Sequence, residues 1–155
     1  MIRRAKNTDI DRLNELLYQV QQLHAEKRPD IFKLGAKKYT SKELEAIIAD
    51  DDTPIFVYEE DGIVMGYVFC IYQVTEETPQ LRYRKVMYID DLCVDACCRR
   101  RHIGEKLYAF AADTARENGC SSVTLNVWSV NPAAEQFYQK MGMKPLKTYM
   151  ETQLS

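Results

Sequence analysis

No stretch of this sequence is long and apolar enough to cross a bilayer. The longest apolar run, Ile63 to Tyr72, falls far short of the ~20 residues a spanning helix needs. The opening "MIRRAKNTDI" has basic residues but no apolar run behind them, so the pattern of an export signal is missing and a cytoplasmic location is expected. Histidine is scarce, His24 and His102 being the two, and the five cysteines (Cys70, Cys93, Cys97, Cys98, Cys120) are odd in number and scattered. That argues against a disulfide framework. It also leaves no zinc pattern, because Cys97 and Cys98 are adjacent rather than two apart. The thiols are therefore expected to be free, as small buried side chains, with no bound metal. Gly-x-x-x-x-Gly-Lys-Ser/Thr is absent, so there is no P-loop. An excess of positive charge is missing as well: 21 Lys+Arg stand against 23 Asp+Glu, for a net charge of −2. A dedicated nucleic-acid binder carries a broad basic patch or stripe, so neither nucleic acid nor a membrane is expected as a partner.

What is present reads as one folded unit over residues 1–155, at 46% hydrophobic content enough to bury a core. "MIRRA" suits a short strand. From Thr8, taken as the N-cap, "TDIDRLNELLYQVQQLHAEK" places Ile10, Leu13, Leu17, Val20 and His24 near one helical face. "SKELEAIIAD" predicts a short helix whose cap, read from Ser41, is only partial because Leu44 stands where a capping box needs Glu. The period then shortens. "TPIFVYEEDGIVMGYVFCIYQV" is two β-rich runs around Asp61-Gly62, a strong hairpin signal. "TEETPQLRYR" is a polar loop, and "KVMYIDDLCVD" a third strand. A long helix follows with Ile103, Leu107, Phe110, Ala111 and Ala115 on its apolar face and Asn118-Gly119 at its end. "SSVTLNVWSV" reads as a strand, "NPAAEQFYQKMG" as a helix opened by Pro132 and closed by Gly142, and "MKPLKTYMETQL" as a last strand. The order βααβββαβαβ describes an α/β (α+β) fold around a mostly antiparallel sheet.

One stretch is electrostatically odd. Arg99, Arg100 and Arg101 precede the first turn of the long helix, the end whose unpaired N–H groups favour anions over cations. A strand, a tight turn and a helix N-terminus together also make an anion site. Local features leave both readings open: a solvated surface turn, or the rim of a site whose ligand supplies the missing negative charge.

The segments "YIDDLCVDACCRRRHIGEKL" and "VTLNVWSVNPAAEQFYQKMGMKP" resemble the GNAT superfamily of acyl-CoA-dependent N-acetyltransferases. Its Gln/Arg-x-x-Gly-x-Gly/Ala motif falls on Arg99-Arg100-Arg101-His102-Ile103-Gly104, and its second signature on Asn131, Tyr138 and Gly142-Met143. His102 stands where the family most often has its first glycine. The resemblance implies a mixed, mostly antiparallel sheet of six to seven strands with four helices, and acetyl-CoA as co-substrate. The coenzyme's pyrophosphate would lie on the amides from Arg100 to Gly104, with arginines and Asn131 nearby. Its pantetheine would run along Leu92, Cys93 and Val94 where that strand parts from "TLNVW", and an amide near Leu92 or Cys93 would polarise the thioester carbonyl.

A primary amine of a small molecule, peptide or protein would attack directly, through a tetrahedral intermediate. Tyr138 is the implied general acid for the departing thiolate; its other reading is core packing on the helical face with Ala134, Phe137 and Met141. Asp90 is the first candidate base and Asp91 the second. As neighbours on a strand the two point to opposite faces, so at most one should line the cleft. Carboxylates there suit a cationic acceptor, held between residues 24–40 and 75–84, with Tyr39, Tyr72, Tyr83 and Tyr88 in reach. A homodimer through sheet edges would fit the family. The alternative is a module that binds acyl-CoA or another phosphorylated ligand without catalysis.

Overall fold

The computed structural model describes residues 1–155. Its elements are β1 (Ile2–Arg4), α1 (Ile10–Lys27), α2 (Ser41–Ala49), β2 (Ile55–Glu60), β3 (Ile63–Thr75), β4 (Arg84–Val94), α3 (Ile103–Glu117), β5 (Ser122–Leu125) and α4 (Pro132–Lys140), with 3-10 turns at Asn7–Asp9 and Ala96–Cys98. The strands form one sheet in the order β1-β2-β3-β4-β5. Neighbours are antiparallel except β4 and β5, which are parallel and joined through α3. The sheet has five strands, not six to seven. Met143 to Leu154, expected to supply the last one, form no strand, and beyond the Met143 amide, which donates to the Tyr138 carbonyl, they exchange no backbone hydrogen bond with the rest of the chain.

The sheet separates two apolar layers. On one face α1 and α2 bury Leu13, Leu16, Leu17 and Leu44 against Ile55, Val57, Tyr67, Phe69 and Cys93. On the other, α3 buries Ile103, Leu107, Ala111 and Ala115 against Val68, Cys70, Met87 and Ile89. Gly66 on β3 lets α3 approach this closely: a Cβ there would sit 2.8 Å from the Cys93 carbonyl oxygen and 3.2 Å from Leu107 Cδ1. The hairpin turn is where Asp61-Gly62 predicts it, with φ of 53° and 78°, the left-handed pair of a type I′ turn.

Two helix starts differ from expectation. Thr8 does not cap α1. It lies inside the 3-10 turn, and Asp9 takes the cap position with its carboxylate held by the Arg3 guanidinium (2.8 and 3.0 Å) and the Lys6 amide (2.8 Å). At α2 the cap is Thr40, one residue earlier than Ser41. Its hydroxyl accepts from the Glu43 amide while the Glu43 carboxylate accepts from the Thr40 amide, completing the box that looked partial from Ser41.

The feature that shapes the functional region is a bulge in β4. Phe69 of β3 lies opposite Asp91, but the next residue, Cys70, lies opposite Ile89, so Asp90 is an extra residue with no partner of its own. Side chains show the phase change. Met87 and Ile89 face α3, and beyond the bulge Leu92 and Val94 do so, an odd series passing to an even one. β5 pairs with β4 only from Val86 to Ile89. From Asp90 onward, the β5 side of β4 is an open edge.

Candidate active site

Because of the bulge, Asp90 and Asp91 do not point to opposite faces, as strict alternation would require. Both open toward the α1/α2 side. Asp91 Oδ2 accepts a 2.8 Å hydrogen bond from the hydroxyl of buried Tyr67, and Asp90 Oδ2 accepts from Lys38 Nζ and from the Tyr39 hydroxyl, each at 3.3 Å. Burial pushes the Asp91 carboxyl above the usual carboxylate range, although Lys38 and Tyr67 work against that shift. Burial works against the Lys38 charge too, yet the carboxylates of Asp91 and Asp90 hold its ammonium above its ordinary value. Cys93, on the same face, is pushed up to about 12, by burial first and by Asp91 second, and stays a protonated thiol.

The open edge leads into the phosphate-motif loop. Asp95 ends the strand: its amide donates to the Met65 carbonyl (2.8 Å), and its carboxylate takes Arg12 and the Cys97 amide, which lowers it to about 2. Past this anchor the chain turns through two left-handed residues, Arg100 (φ 72°) and His102 (φ 59°), before entering α3. His102 is the cap residue of α3 but gives no side-chain cap, its ring turning outward to Glu105 Oε2 at 3.2 Å. The left-handed backbone explains why glycine would be the cheaper residue here. None of the amides from Arg99 to Glu105 finds an acceptor within the chain. Such a run of unpartnered N–H groups at the positive end of a fifteen-residue helix is suited to an anion of two linked phosphates. Arg101 pairs with Glu60 at 2.5 Å, whereas Arg99 and Arg100 make no ion pair.

α4 forms the other wall. Asn131 caps it through the Ala134 amide (3.3 Å), and Pro132 stands in its first turn. Gly104 brings it close: a Cβ on Gly104 would meet the Phe137 ring at 3.3 Å and Val94 at 3.7 Å. This glycine thus serves helix packing as well as the motif. Tyr138 lies beside Tyr108, ring centroids 6.4 Å apart, and its hydroxyl has no hydrogen-bond partner in the chain. Burial raises its pKa, with Asp91, Tyr108 and Cys93 adding to the shift. A phenol held protonated and without a partner in the chain has its hydroxyl free to hydrogen-bond a ligand.

Several contributors carry no motif. Lys38 and Tyr67 hold the carboxylates. Phe32 packs between His24 (4.9 Å) and Trp128 (5.4 Å), closing the cleft between the end of α1 and the loop after β5. The sequence signal for these is weak: an aromatic in a loop looks the same whether it lines a cleft or not. Of the four tyrosines expected near the acceptor, Tyr39 and Tyr88 lie on the site face. Tyr72 packs on the α3 side under Lys85, and Tyr83 is exposed in the loop before β4. Cys97, expected buried, is exposed, with its sulfur 3.4 Å from that of Cys98.

Comparison with known proteins agrees with this geometry. A family model described as Acetyltransferase (GNAT) family matches residues 17–143. Among curated relatives, the chain is 38% identical over 61 residues to the chloroplastic GCN5-related N-acetyltransferase 6 of Arabidopsis thaliana, a stretch covering 39% of this chain and 21% of that protein. It is 25% identical over 141 residues to the uncharacterized N-acetyltransferase YhfO of Bacillus subtilis, covering 91% of this chain and 87% of that one. Among solved structures, a mutant of the BH1408 protein from Bacillus halodurans superposes with a TM-score of 0.96 at 26% identity, covering 100% of this chain and 99% of that chain. An aminoglycoside N-acetyltransferase, AAC(6')-Iy, in complex with CoA has the same fold, with a TM-score of 0.74 at 15% identity, covering 100% and 99% of the two chains. With a bulged, splayed β4, an uncapped α3 behind an arginine turn and a family match over most of its length, this chain belongs to the GNAT family of acetyltransferases.

Proposed function

We propose that this acyl-CoA-dependent N-acetyltransferase moves an acetyl group from acetyl-CoA to a primary amine of a small cationic molecule. The observation that carries the reading is the open edge of β4 from Asp90 to Val94, running from a pair of carboxylates into the unpartnered amides of Arg99 to Glu105. The residues fit the co-substrate: those amides suit its pyrophosphate, Arg99 and Arg100 have no carboxylate partner, and the free main chain of Leu92, Cys93 and Val94 suits its pantetheine amides. Asn131 contributes by holding the first turn of α4 in place.

The acceptor's ammonium must lose a proton before its nitrogen can attack. Asp90 already holds one ammonium, that of Lys38, and so marks where a cationic acceptor binds. Asp91, with its raised carboxyl, takes the proton. An amide of Leu92 or Cys93 stabilises charge on the carbonyl oxygen; as the C–S bond breaks, Tyr138 gives its proton to the departing thiolate, and the excess proton on the attacking nitrogen restores the phenol. The aminoglycoside acetyltransferases among the structural neighbours support a small polyamine-like acceptor.

Calorimetric titration with acetyl-CoA, followed by thiol release over a panel of amines, tests the reading. Saturable binding with turnover of cationic amines is expected. Binding without turnover of any amine favours the non-catalytic module, and no binding at millimolar acetyl-CoA refutes both. Asp90→Asn should raise KM for cationic acceptors while leaving acetyl-CoA affinity unchanged; an unaltered KM would remove Asp90 from acceptor binding.

A further inference from the structure

One primary amine of the chain already stands where an acceptor amine is expected. Lys38 lies in the segment joining α1 to α2, and its Nζ donates to Asp90 Oδ2 at 3.3 Å, on the bulge where the open edge of β4 begins. Despite partial burial, Asp91 and Asp90 together hold its ammonium above its ordinary value. Burial and then Asp91 raise the Tyr138 phenol in the same way. Lys38 thus sits among the groups assigned to base, acid and acceptor binding.

The surroundings hold it there. Tyr39, the next residue, stacks on Phe69 of β3 with ring centroids 6.1 Å apart and planes 7° apart, and its hydroxyl donates to the same Asp90 oxygen. Lys38 Nζ rests 5.4 Å from the centre of the Tyr39 ring, within range of a cation–π contact. Thr40 then opens α2 through its capping box with Glu43, which fixes the chain just beyond. Lys33 and Lys37, in the same segment, are exposed and pair with no carboxylate. Of the remaining lysines only Lys140 makes an ion pair, with Glu105 on α3.

We propose that Lys38 is an acceptor in its own right: with acetyl-CoA bound and no external amine competing, the chain acetylates its own Lys38 Nζ. The proposal rests on the acetyl-transfer reading and names one substrate of it. Asp91 takes a proton from the ammonium, and the freed nitrogen attacks the thioester carbon beside the Leu92 or Cys93 amide. The C–N bond forms and the C–S bond breaks, its electron pair leaving on sulfur. Tyr138 protonates the thiolate, a second proton leaves the nitrogen to restore the phenol, and Asp91 releases its proton to solvent. The products are Nε-acetyl-Lys38 and free CoA. Tethering takes the place of acceptor binding, so the transfer needs no second molecule beyond acetyl-CoA. The acetylated side chain is uncharged, which leaves Asp90 open to an external ammonium.

Intact-mass and peptide mass spectrometry provide the test. The chain, first cleared of acetyl groups with a lysine deacetylase, is incubated with isotope-labelled acetyl-CoA and no amine. The same preparation is assayed for thiol release over the amine panel. One labelled acetyl group per chain is expected, on Lys38, at a first-order rate that does not change with protein concentration. Uncatalysed acetylation would favour Lys33 and Lys37, which are exposed and have no carboxylate partner, so Lys38 should lead them by more than about tenfold. Tyr138→Phe and Asp91→Asn should each slow labelling of Lys38 by about 10²-fold without changing that of Lys33 and Lys37, and Lys38→Arg should abolish the fast label. Label spread evenly over the three lysines, a rate that grows with protein concentration, or labelling untouched by the Tyr138 and Asp91 substitutions overturns the proposal. Amine turnover with Lys38 unlabelled overturns it alone and leaves the acetyl-transfer reading standing, and transfer to neither overturns both.

Discussion

The two halves of β4 are made of similar material and do different work. From Val86 to Ile89 the strand is paired on both sides, alternates regularly and buries Val86, Met87 and Ile89. From Asp90 to Val94 it is paired on one side, carries two adjacent carboxylates on one face and ends in a turn with left-handed residues. One extra residue separates them. The first half gains stability from its two ladders, and the second gives one ladder up to expose main-chain groups and tolerates a half-buried carboxylate. Local rules are broken where chemistry is wanted, and nowhere else along the strand.

Deleting Asp90 is the most severe test of this contrast. Its removal restores plain alternation without turning any later side chain to the other face, so the chain should fold. The straightened strand would follow β5 and close the open edge, and kcat/KM should fall by about 10³-fold or more. Thermal melting with steady-state kinetics would check it, and an active deletion variant would show that the bulge is incidental. In the first half, Ile89→Ala should cost roughly 2–5 kcal/mol of stability while the folded fraction keeps its kcat, as chemical denaturation and kinetics together would reveal. Tyr138→Phe should lower kcat by about 10²-fold with acetyl-CoA affinity nearly unchanged; an equal loss in both would return Tyr138 to a packing role.

The effect of Asp91→Asn is no larger, and it has two signs. The folded-state pKa of Asp91 is raised, so the folded chain binds the proton more tightly than the unfolded one. Stability therefore falls as pH rises from the ordinary carboxylate value through the raised one, and at neutral pH the charged group is a net cost. The substitution should raise Tm by a few degrees, on the order of 1 kcal/mol, while lowering kcat about 10²-fold and removing the acid limb of the kcat/KM profile. A less stable variant, or an unchanged profile, would mean that Asp91 is structural.

Much of this was legible in the sequence, for physical reasons. The Asp61-Gly62 turn, the apolar face of α3 and the Asn131-Pro132 start of α4 are local signals, and local geometry obeyed them. The bulge was not legible, because an inserted residue is defined only by the register of the opposite strand. "IDDLCV" reads equally well as plain alternation. Lys38, Tyr67 and Phe32 escaped notice for the same reason: their partners lie far away in sequence. The strand expected at Met143 to Leu154 shows a different limit. Its pattern is that of a strand, but a pattern does not supply the neighbouring strand it must bond to.

The left-handed residue at the mouth of α3 bears on how this chain can vary. Position 102 is a filter on substitution rather than on ligands. Glycine would enter it downhill, asparagine and aspartate at little cost, and a β-branched residue hardly at all. A library randomised at His102 and selected only for folding should therefore return a narrow alphabet, centred on glycine and blind to charge. The outward-turned imidazole then reads as a neutral occupant of a backbone-defined position, free to be exchanged without touching the amides beside it.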